Sequence, residues 1–213
     1  MLLDRVGGIR YAVEMKRSIA FGIVLTVAVT AAWGQFGSVP SGYSAHESGS
    51  SQLNFFYPDG WFVVDEADNT ALVNREALVE QIVADTADIL PGDAIMVIGI
   101  LPTMFMAMMG IPVDDISTIL DGMFDNMVAS SGEMENSRKE VHEFGAYSVA
   151  SVTFDDPEEE ASGIFFVAHE QEEVIVFAVV YGFRESLDAH RETLARAVAS
   201  AEFTGDLSEM MQN

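Results

Sequence analysis

Four of the six positions 104–109 are methionine: Met104, Met106, Met108 and Met109, with Phe105 among them. Thioethers are soft ligands that suit Cu(I). They also fill irregular apolar gaps and form contact surfaces that tolerate varied shapes. No histidine or cysteine lies beside them, which favours packing or contact over copper. One helical stripe cannot bury four such side chains in six positions, so at least one is expected to face solvent. Met104, Phe105, Met106, Met108 and Met109 are therefore the candidate contact residues, at the edge of a groove for a partner or ligand.

Other residues offer chemistry with weaker spacing. Asp155, Asp156, Glu158, Glu159 and Glu160 flank Pro157 and could offer hard oxygens to Ca²⁺. They lack the alternating ligand spacing of an EF-hand loop and read as a solvated hairpin tip. His46, His142, His169 and His190 show no metal-ligand pair of the H-E-x-x-H kind and read as structural or surface histidines. There is no G-x-S-x-G elbow, Walker loop or dinucleotide fingerprint. The chain has no cysteine, which removes disulfides, Cys-type zinc sites, thiol nucleophiles and lipoprotein-type cysteine anchors. No cofactor is implied. An enzyme would have to assemble its site from residues distant in sequence, so the alternative to a binding module is a secreted hydrolase with a dispersed active site. Convergent polar groups with perturbed pKa values in a cavity would favour the enzyme. An exposed apolar groove or patch would favour the binding module.

These residues must be carried by definite elements. Leu53-Asn54-Phe55-Phe56-Tyr57 reads as a strand, Pro58-Asp59-Gly60 as a turn and Trp61-Phe62-Val63-Val64 as the strand that completes a hairpin. Ala71-Leu72-Val73 follows as a third. Leu78, Val79, Ile82 and Val83 share one face of a helix predicted over 76–90. The apolar run 94–101 is a strand, and the methionine segment a short helix or lid. Ile116, Ile119, Leu120, Met123, Phe124, Met127 and Val128 follow helical spacing, with Asp114 or Asp115 as cap. The second half is mostly strand: 138–144, 146–154, 164–168 and 174–181. It closes on a helix with Ser186 as cap and Leu187, Arg191, Leu194 and Val198 as its inner stripe. The runs IFFVA and VIVFAVVY do not alternate, so those strands need cover on both faces. Short connections favour antiparallel pairing.

The N-terminus gives an address. Met15-Lys16-Arg17 is basic, 19–32 is an uncharged apolar run, and small residues follow. That is the order of a secretory signal over 1–34, with cleavage between Ala31 and Gln35 and a start at Met15 rather than Met1. The run is short for a spanning helix. The alternative is retention as a membrane anchor through 19–33. The Gly/Ser-rich segment 35–51 reads as a flexible spacer, 52–204 as the folded domain and 205–213 as a frayed tail. The chain is strongly acidic, with 34 Asp+Glu against 10 Lys+Arg and a net charge of −24. Such a surface repels nucleic acid and anionic lipid. The expected site of action is outside the cytoplasm, periplasmic or extracellular, on an envelope protein or a small ligand.

The FFYPDGW opening, the late strand pair that Gly163 starts and Tyr181 ends, and the closing VASAEF with Leu194 before it resemble the PsbP family. That family is named for an extrinsic photosystem II subunit, and its superfamily includes a Ran-binding nuclear-import factor. The resemblance spans 53–203. It implies an α+β fold, a three-layer α-β-α sandwich around a mainly antiparallel sheet, and a non-enzymatic accessory or binding role. It transfers no catalytic residue. Export and acidity argue against Ran binding, and no residue points to photosystem II.

Overall fold

The computed structural model describes residues 38–48, 52–65, 69–84, 86–131, 134–145, 147–156, 161–171 and 174–205. The signal expected over 1–34, part of the 35–51 spacer, the acidic tip 157–160 and the tail from 206 onward lie outside them.

The strands are β1 (Tyr43–Glu47), β2 (Leu53–Pro58), β3 (Phe62–Asp65), β4 (Asn69–Val73), β5 (Ala94–Pro102), β6 (Glu135–Phe144), β7 (Tyr147–Asp156), β8 (Ala161–Gln171), β9 (Val174–Gly182) and β10 (Glu202–Phe203). The helices are α1 (Glu76–Val83), α2 (Thr103–Met108), α3 (Ile116–Ser131) and α4 (Arg184–Ala199). Seven strands form one sheet in the order β3-β4-β5-β9-β8-β7-β6, and a second sheet has the order β1-β2-β10. Every pairing is antiparallel. The fold is α+β.

Alternation along the central strands assigns each side chain to a face. Met96, Ile98, Val176, Ala178, Val180 and Phe166 pack with Leu187, Leu194 and Val198 of α4 and with Leu53 and Phe55 of β2. Phe165, Val167, Ile175, Val152 and Phe154 pack on the opposite side with Met106 of α2 and Ile119, Leu120 and Phe124 of α3. Ile95, on that second side, meets Leu78 and Ile82 of α1. Helices therefore cover both faces, and the small sheet shares its face with α4. This explains why β8 and β9 carry runs without alternation.

Four expectations are corrected. First, Pro58-Asp59-Gly60 does not close a hairpin. β2 pairs with β1 and β10, whereas β3 pairs with β4. The turn is a corner between two sheets. Trp61 N–H donates to Pro58 C=O at 3.1 Å, Asp59 N–H to Gly42 C=O at 3.0 Å, and Ser44 Oγ to Asp59 Oδ1 at 2.8 Å. Gly60 supplies the positive φ of 83° at no steric cost.

Second, the 35–51 spacer contains β1, whose ladder on β2 runs from Tyr43↔Pro58 to Glu47↔Asn54. A strand at a sheet edge needs no strong apolar pattern, since half-burial and backbone hydrogen bonds suffice. His46 fixes it sideways, its Nε2 3.0 Å from Asp65 Oδ1 on β3.

Third, α1 stops at Val83 rather than reaching 90. The chain beyond it is committed to Asp93, whose carboxylate takes two hydrogen bonds from Arg75 at 2.8 and 2.7 Å and one from Leu90 N–H at 2.9 Å. The Arg75 guanidinium and the Leu90 amide outweigh burial and hold that carboxyl below its usual range.

Fourth, Ser186 is not a cap. α4 starts at Arg184 after an extended Phe183 with no side-chain cap, and Ser186 is buried within its first turn. Asp115 does cap α3, its Oδ2 accepting from Thr118 N–H at 3.0 Å. Residue 132, just beyond α3, lies outside the described residues.

Candidate functional site

β5 is buried along most of its length and ends at Pro102, where the chain turns directly into α2. This six-residue helix has no charged residue in its first or last turn. No Asp, Glu, Lys, Arg or His occurs from 94 to 113. The helix ends by a Schellman arrangement. Gly110, at φ 75°, donates its N–H to Ala107 C=O at 3.1 Å, and Ile111 N–H donates to Met106 C=O at 2.9 Å. The apolar contact that accompanies this motif joins Met106 and Ile111, both buried against α3 and β7.

That cap fixes which methionine goes inward. Met106 is fully buried, while Met104, Phe105, Met108 and Met109 are 48, 38, 66 and 41% exposed. At least one methionine was expected at the surface, and three are there. Met104 and Met108 stand four residues apart, one above the other on a helical face. The result is an uncharged ridge of large apolar side chains, pinned from beneath by Met106.

A second place is a groove of about 350 Å³ between β6 and α4, lined by Glu140, His142, Phe144, Asp188, Arg191 and Glu192. Arg191 stands in the otherwise apolar inner stripe of α4 and is 14% exposed. Its guanidinium donates to Glu140 Oε2 at 3.1 Å, to Asp188 Oδ1 at 2.5 Å and to the hydroxyl of buried Thr153. Arg196 lies over the Phe144 ring at 5.1 Å. These contacts latch α4 to the edge strand. Sequence reasoning placed Arg191 in the stripe but not in this network. The signal was there: one long cation among leucines needs a buried acceptor.

The groove also brings His142 Nε2 to 3.1 Å from Ser151 Oγ. Burial pushes the His142 imidazole below its ordinary pKa, with Arg191 adding to the shift and Glu140 and Glu192 opposing it. A histidine beside a serine is the start of a nucleophilic dyad. Ser151, however, is completely buried, so its oxygen is closed to a substrate.

The remaining sequence candidates fall elsewhere. Asp155 accepts from Arg184 and, at 2.6 Å, from Ser162 Oγ, so this member of the acidic turn is engaged within the fold. No group of three His, Asp or Glu side chains able to hold a metal occurs among the described residues. Burial opposes ionisation of Asp65, but hydrogen bonds from His46, Thr70 and Ser48 and the His46 charge outweigh it and lower its pKa. His190 packs on Trp61. The His169 side chain lies outside the described residues. No described helix is long and apolar enough to cross a membrane.

Solved structures similar to the chain include a cyanobacterial PsbP. This protein, CyanoP of Synechocystis, is 12% identical at a TM-score of 0.44, over 79% of this chain and 98% of that one. A Bacteroides thetaiotaomicron protein is 10% identical at 0.45, over 80% of this chain. The chain spans only 56% of that protein's length. LpqN of Mycobacterium tuberculosis, involved in cell envelope biogenesis, is 9% identical at 0.41, over 76% of this chain and 91% of that one. No protein-family model matches the sequence, and no curated protein matches it significantly.

Proposed function

We propose that the chain is an exported, non-catalytic binding domain that holds an uncharged apolar surface of an envelope protein against Met104, Phe105, Met108 and Met109. One observation carries this reading: four large apolar side chains stand exposed on one short helix and its C-cap residue Met109, while Met106 between them is locked into the core. Contiguous exposed apolar surface marks contact sites, and flexible thioethers suit a partner of varied shape. Charge supports a protein partner over a lipid one. The ridge lies within a stretch that carries no charge, in a chain of net charge −24 that anionic lipid would repel. Export rests on the basic, apolar and small-residue order of 15–34.

The test is capture from the native envelope with tagged wild-type protein and with the M104Q/M108Q/M109Q variant. The variant keeps Met106 and so keeps the anchor of α2. It should lose the captured protein while its melting temperature stays within a degree or two, since exposed substitutions cost little. Equal capture by both would overturn the ridge as the contact surface. N-terminal sequencing of the secreted form checks export, and an intact, membrane-embedded Met15 end would reject cleavage.

A further inference from the structure

We propose that Met104, Met108 and Met109 form an oxidant-sensitive site, at which conversion to sulfoxide turns the ridge from apolar to polar and switches its capacity for contact. The modification stands on geometry alone, while its consequence for a partner rests on the binding role proposed above. The chain has no cysteine, so thiols do not intercept an oxidant before the thioethers. Within six residues the fold then sorts four thioethers into two classes. Three are 48, 66 and 41% exposed, and Met106 is fully buried, as is Met96 on the interior strand β5.

The chemistry is a two-electron oxygen transfer from a peroxide. The thioether sulfur attacks the peroxide oxygen, an S–O bond forms and the O–O bond breaks. Sulfur is oxidised to the sulfoxide, and hydrogen peroxide is reduced to water. The product is polar and chiral where the reactant was flexible and apolar. Its effect is large here because 94–113 carries no charged side chain to mask a new dipole. Exposed Met104, Met108 and Met109 can each be oxidised without entering the core, so the fold survives. Reduction is also feasible at the surface, since both sulfoxide epimers are open to their two reductases.

The experiment treats the native full-length protein with dilute hydrogen peroxide and follows each methionine by peptide mass spectrometry. Among these five methionines Met108 should react first, then Met104 and Met109, all about tenfold or more faster than Met106 and Met96, as thioether accessibility dictates. Fluorescence of bound Nile red, an uncharged apolar probe, should fall as these three react. It should recover when the two methionine sulfoxide reductases are added. Met106 oxidising at the rate of Met108 while Met96 stays intact would overturn the inference, because α2 would then open and offer no selective site. Unchanged Nile red binding after complete oxidation of the three would overturn the switch. Neither result depends on a captured partner, so failure here is separable from failure of the contact reading.

Discussion

The His190 ring stands edge-on to the Trp61 indole, with centroids 5.3 Å apart and planes at 88°. This contact joins the start of the large sheet to the last helix. Trp61 is 9% exposed and belongs to the same core cluster as Leu187 and Leu194 of α4. The proline-glycine corner before it explains the placement. A chain leaving the small sheet must enter the large one under α4, and a large flat ring fills the space at that crossing. Trp61→Ala should cost about 3–5 kcal/mol, the range for deleting a buried aromatic. Urea unfolding measures it, and an unchanged midpoint would show that the ring is not part of the core.

His190 and His142 share a second property. Burial holds both imidazoles below their ordinary pKa. The unfolded chain therefore takes up protons near pH 6.5 that the folded chain still refuses. Stability rises with pH wherever the unfolded state binds more protons. Their contribution should be fully present above the unfolded value and be lost as pH falls from it towards the folded values. The urea midpoint should drop between about pH 7.5 and pH 5 by proton linkage. A His142→Asn, His190→Gln double variant should flatten that slope. An unchanged slope in the variant would mean that other groups control this window.

How much of this was legible beforehand depends on the kind of signal. The amphipathic pattern of α3 and the non-alternating runs of β8 and β9 specify burial directly, because one stripe or both faces must be covered. The small sheet was not legible. β1 is half-buried at an edge and β10 has two residues, so neither needs an apolar period. Pro58-Asp59-Gly60 announced a reversal but not its partner, since turn chemistry is local and pairing is not. Within the methionine segment, composition predicted exposure. Only the Gly110 cap, with its Met106–Ile111 contact, determines which side chain turns inward.

The His142–Ser151 pair gives the hydrolase alternative a definite form and a definite test. Nucleophilic attack needs Ser151 Oγ at a surface a substrate can reach, and the residue is completely buried on β7. A fluorophosphonate probe, which labels activated serines, should leave Ser151 unmodified in the native protein at neutral pH. A probe adduct on Ser151 would show that the β6–α4 groove opens, and would favour the hydrolase reading over the proposed binding role.

Gly163 and Phe154 supply the sharpest test of packing on the α3 face. They are direct partners across β7 and β8, and Gly163 pairs in turn with Tyr181 on β9. The Phe154 ring lies across the glycine. It is tilted against Phe124 of α3 at 5.7 Å and edge-on to Tyr181 at 6.5 Å. A Cβ on residue 163 would stand inside the van der Waals envelope of that ring. The strain is steric, since no positive φ is required there. Gly163→Ala must therefore push Phe154 off its rotamer and towards α3, and overpacking of this kind costs about 1–3 kcal/mol. Phe154→Leu creates room but loses the aromatic contacts, so alone it should also destabilise. Together the two changes should cost less than the sum of the single effects, by about 0.5 kcal/mol or more, because residues in contact do not act additively. A double-mutant cycle from urea unfolding measures the coupling. Strict additivity would mean that the ring does not rest on the glycine, and that the space above β8 is filled in another way.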